Sequence, residues 1–254
     1  MKISEILTEV AVNSYEVEEI SFVKNQILPI LKNHCNQFLK NNLNNPIYRG
    51  SKNGYGDIAI IDTTNSKRIS TDTRNYYTLL LDHNPYMRNY PKRSNSLICS
   101  TSKNISSYYG TLYCILPFNG CKIGIVPDND IWSVVINFDN PNNSDITLLR
   151  LNKVLQRWGI SDQNYNSLVN DLKSRDGIVA LKELFAGDDK IKNITPEQVL
   201  DYLNEKLKPE NIGFELKDTS SFITLDYPDK EVWFSGKCLA IKHSLYKNII
   251  SEII

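Results

Sequence analysis

Leu97-Ile98-Cys99-Ser100-Thr101-Ser102-Lys103 carries an apolar strand directly into three hydroxyl residues. Alone, this is a strand end whose Ser and Thr cap the helix that follows. Two distant stretches change its weight. Upstream, Ile47-Tyr48-Arg49-Gly50-Ser51 sets an arginine at a strand end, beside a residue small enough for a ligand to approach the backbone. Downstream, Asp229-Lys230-Glu231-Val232-Trp233-Phe234-Ser235-Gly236 sets two carboxylates two residues apart at the start of a very apolar strand. In a strand, that spacing points both to one face. An unpaired carboxylate would be costly to bury there. Taken singly, the arginine reads as a surface turn residue and the carboxylates as solvated charges.

The surroundings read as α+β. Residues 1–43 read as a helical segment, because Val17, Ile20, Val23, Ile27, Leu28, Leu31, Phe38 and Leu39 recur at helical intervals. Pro29 is expected to kink or split it. Short apolar runs at 47–48, 58–61, 96–99, 111–116, 123–126 and 131–136 predict strands, with helices near 74–83 and 104–109. Asn119-Gly120 between two of these runs predicts a hairpin. Residues 145–208 turn helical again, with Thr195 as a cap and Pro196 at the first helical position. Strand-like runs return at 231–234 and 238–241. The expected organisation is a helical segment over 1–43, then one domain over 44–254 with a helical insertion at about 145–208.

Composition sets the outer bounds. The chain has 254 residues, enough to bury a real core. Lys+Arg and Asp+Glu are both 29, which excludes a strongly basic nucleic-acid coat protein but not a local basic patch. No apolar run approaches the roughly 18 residues of a membrane helix, and the N-terminus lacks the long apolar core of a secretory signal. Cys35, Cys99, Cys114, Cys121 and Cys238 contain no Cys-x-x-Cys pair, so a reducing cytoplasm is expected. The scattered His34, His83 and His243 point to no metal.

Read in order, the three stretches resemble the arginine–Ser-Thr-Ser–glutamate signature of the ADP-ribosyltransferase superfamily. Tyr48-Arg49-Gly50, Cys99-Ser100-Thr101-Ser102 and Asp229-Lys230-Glu231-Val232 match its pattern position by position. The resemblance implies a split β-sheet core of ADP-ribosyltransferase type, an NAD co-substrate and a macromolecular acceptor, protein or nucleic acid. It also implies the roles. Glu231 would bind the ribose and stabilise an oxocarbenium-like transition state. Arg49 would clamp phosphate or ribose oxygens. Ser100 would orient Glu231 or the ribose, and Ser102 would brace the strand. Asp229 would position or deprotonate the nucleophile. Tyr109 would stack on the departing base. Tyr48, Gly50 and Thr101 complete the expected substrate-binding set. The family usually has Glu or Gln where this chain has Asp229, so the acceptor is left open.

Two other readings stay beside this one. Residues 86–94 interleave Arg88, Lys92 and Arg93 with Tyr86 and Tyr90, a pattern in which cations track phosphates and aromatics stack on bases. Its bland reading is a solvated loop. With it, the same electrostatics could expel a modified base from DNA, making a DNA glycosylase that needs no cofactor. The start Met1-Lys2-Ile3-Ser4-Glu5-Ile6-Leu7, with Arg74, Arg93-Ser94 and Tyr109-Gly110, also resembles proteins of tailed phages and their hosts, which would set such an activity in phage–host conflict. The third reading is a binding or virion-associated module without activity.

Overall fold

The computed structural model describes residues 13–15, 22–66, 74–136 and 146–253. The fold is α+β, and its described residues form a sheet of nine strands in the order β1-β3-β9-β5-β2-β4-β8-β6-β7. These are β1 (Asn13–Tyr15), β2 (Ile47–Ser51), β3 (Ile58–Asp62), β4 (Leu97–Ser100), β5 (Thr111–Pro117), β6 (Lys122–Ile125), β7 (Glu215–Asp218), β8 (Glu231–Phe234) and β9 (Lys237–Lys242). β2 pairs antiparallel with β5 along its whole length, but with β4 only at Tyr48↔Ser100. The sheet therefore opens between β2 and β4.

The chain falls into two compact units. One holds most of the sheet with the described residues of 7–68, 90–125 and 216–254; the other holds those of 69–89 and 126–215. The described residues of 1–43 belong to the sheet unit and are not a unit of their own. Within the sheet unit, α1 (Leu28–His34) and α2 (Asn36–Asn42) bury Leu31 and Phe38 in the same apolar core as Ile115, Phe234 and Ile241. Pro29 does not split the first helix. A wider π-type turn over Val23–Ile27 runs without a break into α1, so the helical run is locally widened just ahead of Pro29 rather than divided there. The break comes at Cys35. The strand β1 pairs with β3, contrary to the all-helical expectation for 1–43. The remaining helical expectations for 1–12 and 16–21, and the opening motif, lie outside the described residues.

The expected Asn119-Gly120 hairpin does not form. β5 pairs with β2 and β9, whereas β6 pairs with β8. The turn is instead anchored to the N-terminal helices. The Asn119 amide donates to the Asn33 carbonyl at 3.0 Å and to Asn36 Oδ1 at 2.6 Å, and its oxygen accepts from Gln37 N at 3.0 Å. Gly120 supplies the left-handed φ of 77° that this sharp change of ladder requires.

The helical unit matches its sequence pattern better. α3 (Tyr76–His83), which follows α2 in chain order, packs with α5 (Leu148–Arg157) and α6 (Tyr165–Leu172), and shares their unit with α7 (Arg175–Leu184), α8 (Asp189–Lys192), α9 (Val199–Lys206) and α10 (Pro209–Ile212). The fourth helix, α4 (Lys103–Ser107), belongs to the sheet unit. Thr195 and Pro196 form a turn, and α9 starts only at Val199. The expected strand at 131–136 is a 3₁₀ turn over Ile131–Ser133 with one isolated bridge, Val135↔Thr147. The Asp130 carboxylate starts that turn by accepting from Trp132 N at 3.0 Å. The last helix, α11 (His243–Ile250), returns to the sheet unit and packs Tyr246 and Ile249 into its core.

Candidate functional site

Strand alternation divides the chemistry from the core. Along β4, β8 and β6, the residues Leu97, Cys99, Val232, Phe234, Ile123 and Ile125 are paired in register and all sit in the apolar core. The intervening positions share the opposite face: Ser100 stands across from Glu231, and Ile98 and Gly124 flank Trp233. Ser100, Glu231 and Trp233 are therefore on one face because their neighbours had to be on the other.

Glu231 is only 8 % exposed and is not a solvated charge. Arg93, 4 % exposed, donates from Nη1 to Glu231 Oε1 at 2.8 Å. Trp233 Nε1 donates to the same oxygen. The guanidinium carbon of Arg93 lies 4.7 Å from the centre of the Trp233 ring. A buried carboxylate is tolerable only with such compensation, and losing one partner of the pair would strand the other charge. Arg93 was expected in a surface patch for nucleic acid. It is instead turned inward by the 3₁₀ turn Arg93–Asn95 that precedes β4. Arg88 and Lys92 are exposed as expected. Tyr86 is engaged within the helical unit: its hydroxyl donates to Glu205 Oε2 at 3.3 Å, and Lys208 Nζ lies 4.4 Å from its ring centre.

The three hydroxyl residues lock the turn that leads to Glu231. Thr101 N donates to the Lys230 carbonyl at 2.9 Å, and Lys230 N donates back to Thr101 Oγ1 at 2.8 Å. The Thr101 hydroxyl donates to the Tyr227 carbonyl at 2.5 Å. Ser100 donates to the Lys230 carbonyl at 3.2 Å and accepts from Ser102 N at 3.0 Å. Ser102 occupies the cap position of α4 without a side-chain capping bond. Asp229 is not in the strand. β8 begins at Glu231, and Asp229 sits exposed on the preceding turn at φ 54°. The strand rule that put both carboxylates on one face therefore does not apply to it.

Arg49 sits where the sheet opens. Its Nε donates to Tyr55 Oη at 2.8 Å, and its Nη1 donates to the Ile98 carbonyl of β4. The side chain thus bridges strands whose ladder has ended after one pair. Gly50 leaves no room for a ligand against the backbone. A Cβ there would collide with the Ser106 carbonyl and stand 2.9 Å from Tyr109 Cβ, so the end of α4 already fills that space. Tyr109, its Cβ set against Gly50, is 43 % exposed, next to Tyr108 at 85 %. Tyr48 is half-buried and lines a groove of about 380 Å³ with Leu43, Pro46, His243, Tyr246 and Lys247. Its ring centre is 6.3 Å from that of His243.

Arg93 is the residue of this candidate site that sequence reasoning misplaced, and Trp233 the one it passed over. Trp233 could have been found, because position i+2 in a strand shares the face of Glu231. Nothing local in 86–94 separates the inward Arg93 from the outward Arg88 and Lys92. Among the described residues, no group of three His, Cys, Asp or Glu side chains is placed to hold a metal ion, and no helix is long and apolar enough to cross a membrane. Comparison with protein-family models, curated proteins and solved structures found no match to the chain.

Proposed function

We propose that this chain cleaves an N-glycosidic bond, as an ADP-ribosyltransferase that takes NAD and modifies a macromolecular acceptor. One observation carries the reading. β2, β4 and β8 are consecutive in the sheet, so three stretches separated by some fifty and one hundred and thirty residues become neighbours, and Ser100 stands opposite Glu231. The opening between β2 and β4 is also what a split sheet of this family requires. The finer assignment of the fold rests on these features together with the sequence resemblance.

In the reaction, the bond between the anomeric carbon and nicotinamide breaks and positive charge grows on the ribose. A carboxylate in a poorly solvated position stabilises that charge more than one in water. Glu231 would take this role. Arg49, already braced by Tyr55 and the Ile98 carbonyl, would hold phosphate oxygens with little further loss of freedom. Asp229, exposed on its turn, would receive the acceptor's proton as the nucleophile attacks. Tyr109, partly exposed, would stack on the leaving base.

A second reading, a module without activity, has one observation in its favour: the Glu231 carboxylate is already engaged by Arg93 and Trp233. Mass spectrometry of released small molecules separates the readings. The protein is offered NAD with cell extract in one tube and plain or modified DNA in another. Nicotinamide that disappears with Glu231→Gln supports the transferase. A free base with abasic DNA would replace it by a glycosylase, and silence in both tubes would favour the inactive module.

A further inference from the structure

Glu231 is the group on which the proposed chemistry turns, yet the side chains that hold it lie outside the residues that carry the family resemblance. Arg93 reaches it from the turn before β4, and Trp233 from the next position on the same face of β8. Both donate to the single oxygen Oε1. A glutamate side chain has three rotatable bonds, and one donor would still let the carboxylate swing. Two donors arriving from different elements leave little choice of rotamer. The guanidinium is itself located by the Trp233 ring, 4.7 Å from its centre, so each member of the trio fixes the other two. Arg93 is buried, which sets it apart from a cation that binds substrate phosphate at a surface.

We propose that Arg93, backed by Trp233, is the positioning residue that aims the Glu231 carboxylate at the reacting sugar. The proposal rests on the reading of N-glycosidic bond cleavage. Arg93 acts on the carboxylate and not on the substrate, so its loss changes the rate of bond breaking and leaves substrate binding largely intact. Lysine would restore a positive charge but not the planar fork that stacks on an indole while donating to a carboxylate.

The test has two readouts on the full chain. The first is the indole N–H resonance of Trp233 in a ¹⁵N–¹H spectrum, identified by its loss in Trp233→Phe. It is expected to move in both Arg93→Met, which removes the guanidinium over the ring and a donor to the shared oxygen, and Glu231→Gln, which turns the indole's charged acceptor into a neutral amide oxygen. The second is nicotinamide release from NAD. Arg93→Met is expected to lower kcat about 100-fold, the scale of a misplaced catalytic group, with KM changed by no more than a few-fold. Arg93→Lys is expected to recover only part of that loss, and thermal melts show whether each variant is folded. If a variant does not fold, added guanidinium with Arg93→Ala supplies the missing group, and recovery of kcat supports the role. A kcat within two-fold of the parent in folded Arg93→Met would overturn the proposal while the enzyme reading stands. A parent protein that releases no nicotinamide would remove the reading instead; a moved indole in that case shows a structural clamp and ends the positioning role.

Discussion

Gly50 and Asp229 show how single residues set the limits of the site. The backbone at Gly50 is pressed against the end of α4, so Gly50→Ala must push the Ser106 carbonyl and Tyr109 away. The expected loss is about 1–3 kcal/mol, read as a lower midpoint in denaturant; an unchanged midpoint would contradict the packing described. Asp229 holds a left-handed φ of 54°, a conformation that glycine adopts freely and a β-branched residue does not. Asp229→Gly is therefore expected to keep stability within about 1 kcal/mol, whereas Asp229→Val loses about 1–2 kcal/mol. Both should lose transfer to the acceptor if Asp229 handles its proton. The motif residues were legible in the sequence because each is a local pattern. The inward turn of Arg93 was not, because a buried and an exposed arginine look alike until the strand that meets them is known.

At the scale of elements, helices on the sheet decide what titrates and what is protected. Burial pushes the Cys114 thiol up to about 12 and raises Cys35 further, so neither is a thiolate in the native protein near neutral pH. Iodoacetamide at about pH 8 is expected to reach the partly exposed Cys121 first, and Cys35 and Cys114 only after denaturant is added. Early labelling of the buried pair would contradict this packing. At the start of α11, burial together with Lys103 and Lys247 holds the His243 imidazole below its usual range. Unfolded, the ring takes a proton near pH ~6.5; folded, it does so only at lower pH. Between those values the unfolded chain binds more protons, so this group contributes stability at neutral pH that is lost as the pH falls through the window. His243→Gln should therefore show a smaller drop in Tm than the parent on going from about pH 7.5 to about 5.5, and an equal drop would refute the linkage. Helix periodicity found three helices of 145–208, those over Leu148–Arg157, Tyr165–Leu172 and Val199–Lys206, by their apolar stripes, and passed over Arg175–Leu184 and Asp189–Lys192. It failed at Asn119-Gly120, where the partner of a strand is chosen by the whole sheet and not by the turn.

For the whole molecule, the α+β class was legible in the sequence, but the order of strands in the sheet and the division into two compact units were not. Residues 1–43 read as a helical segment of undecided place, and Leu31 and Phe38 are fully buried in the sheet unit's core. Phe38→Ala is accordingly expected to cost about 3–5 kcal/mol, and a chain begun at residue 44 is expected not to fold cooperatively in a calorimeter. A sharp native-like melt of that truncated chain would contradict the shared core. The candidate site brings together strands far apart in sequence, which periodicity cannot report. The central claim is that this adjacency assembles an NAD-cleaving site around Glu231. The most direct measurement is the initial rate of nicotinamide release by the purified full chain, compared with Glu231→Gln under identical conditions. A rate in the parent that falls at least about 100-fold in the folded variant is the predicted result, the scale of losing one transition-state contact. Equal rates, or none in the parent across acceptor-containing extracts, would contradict it.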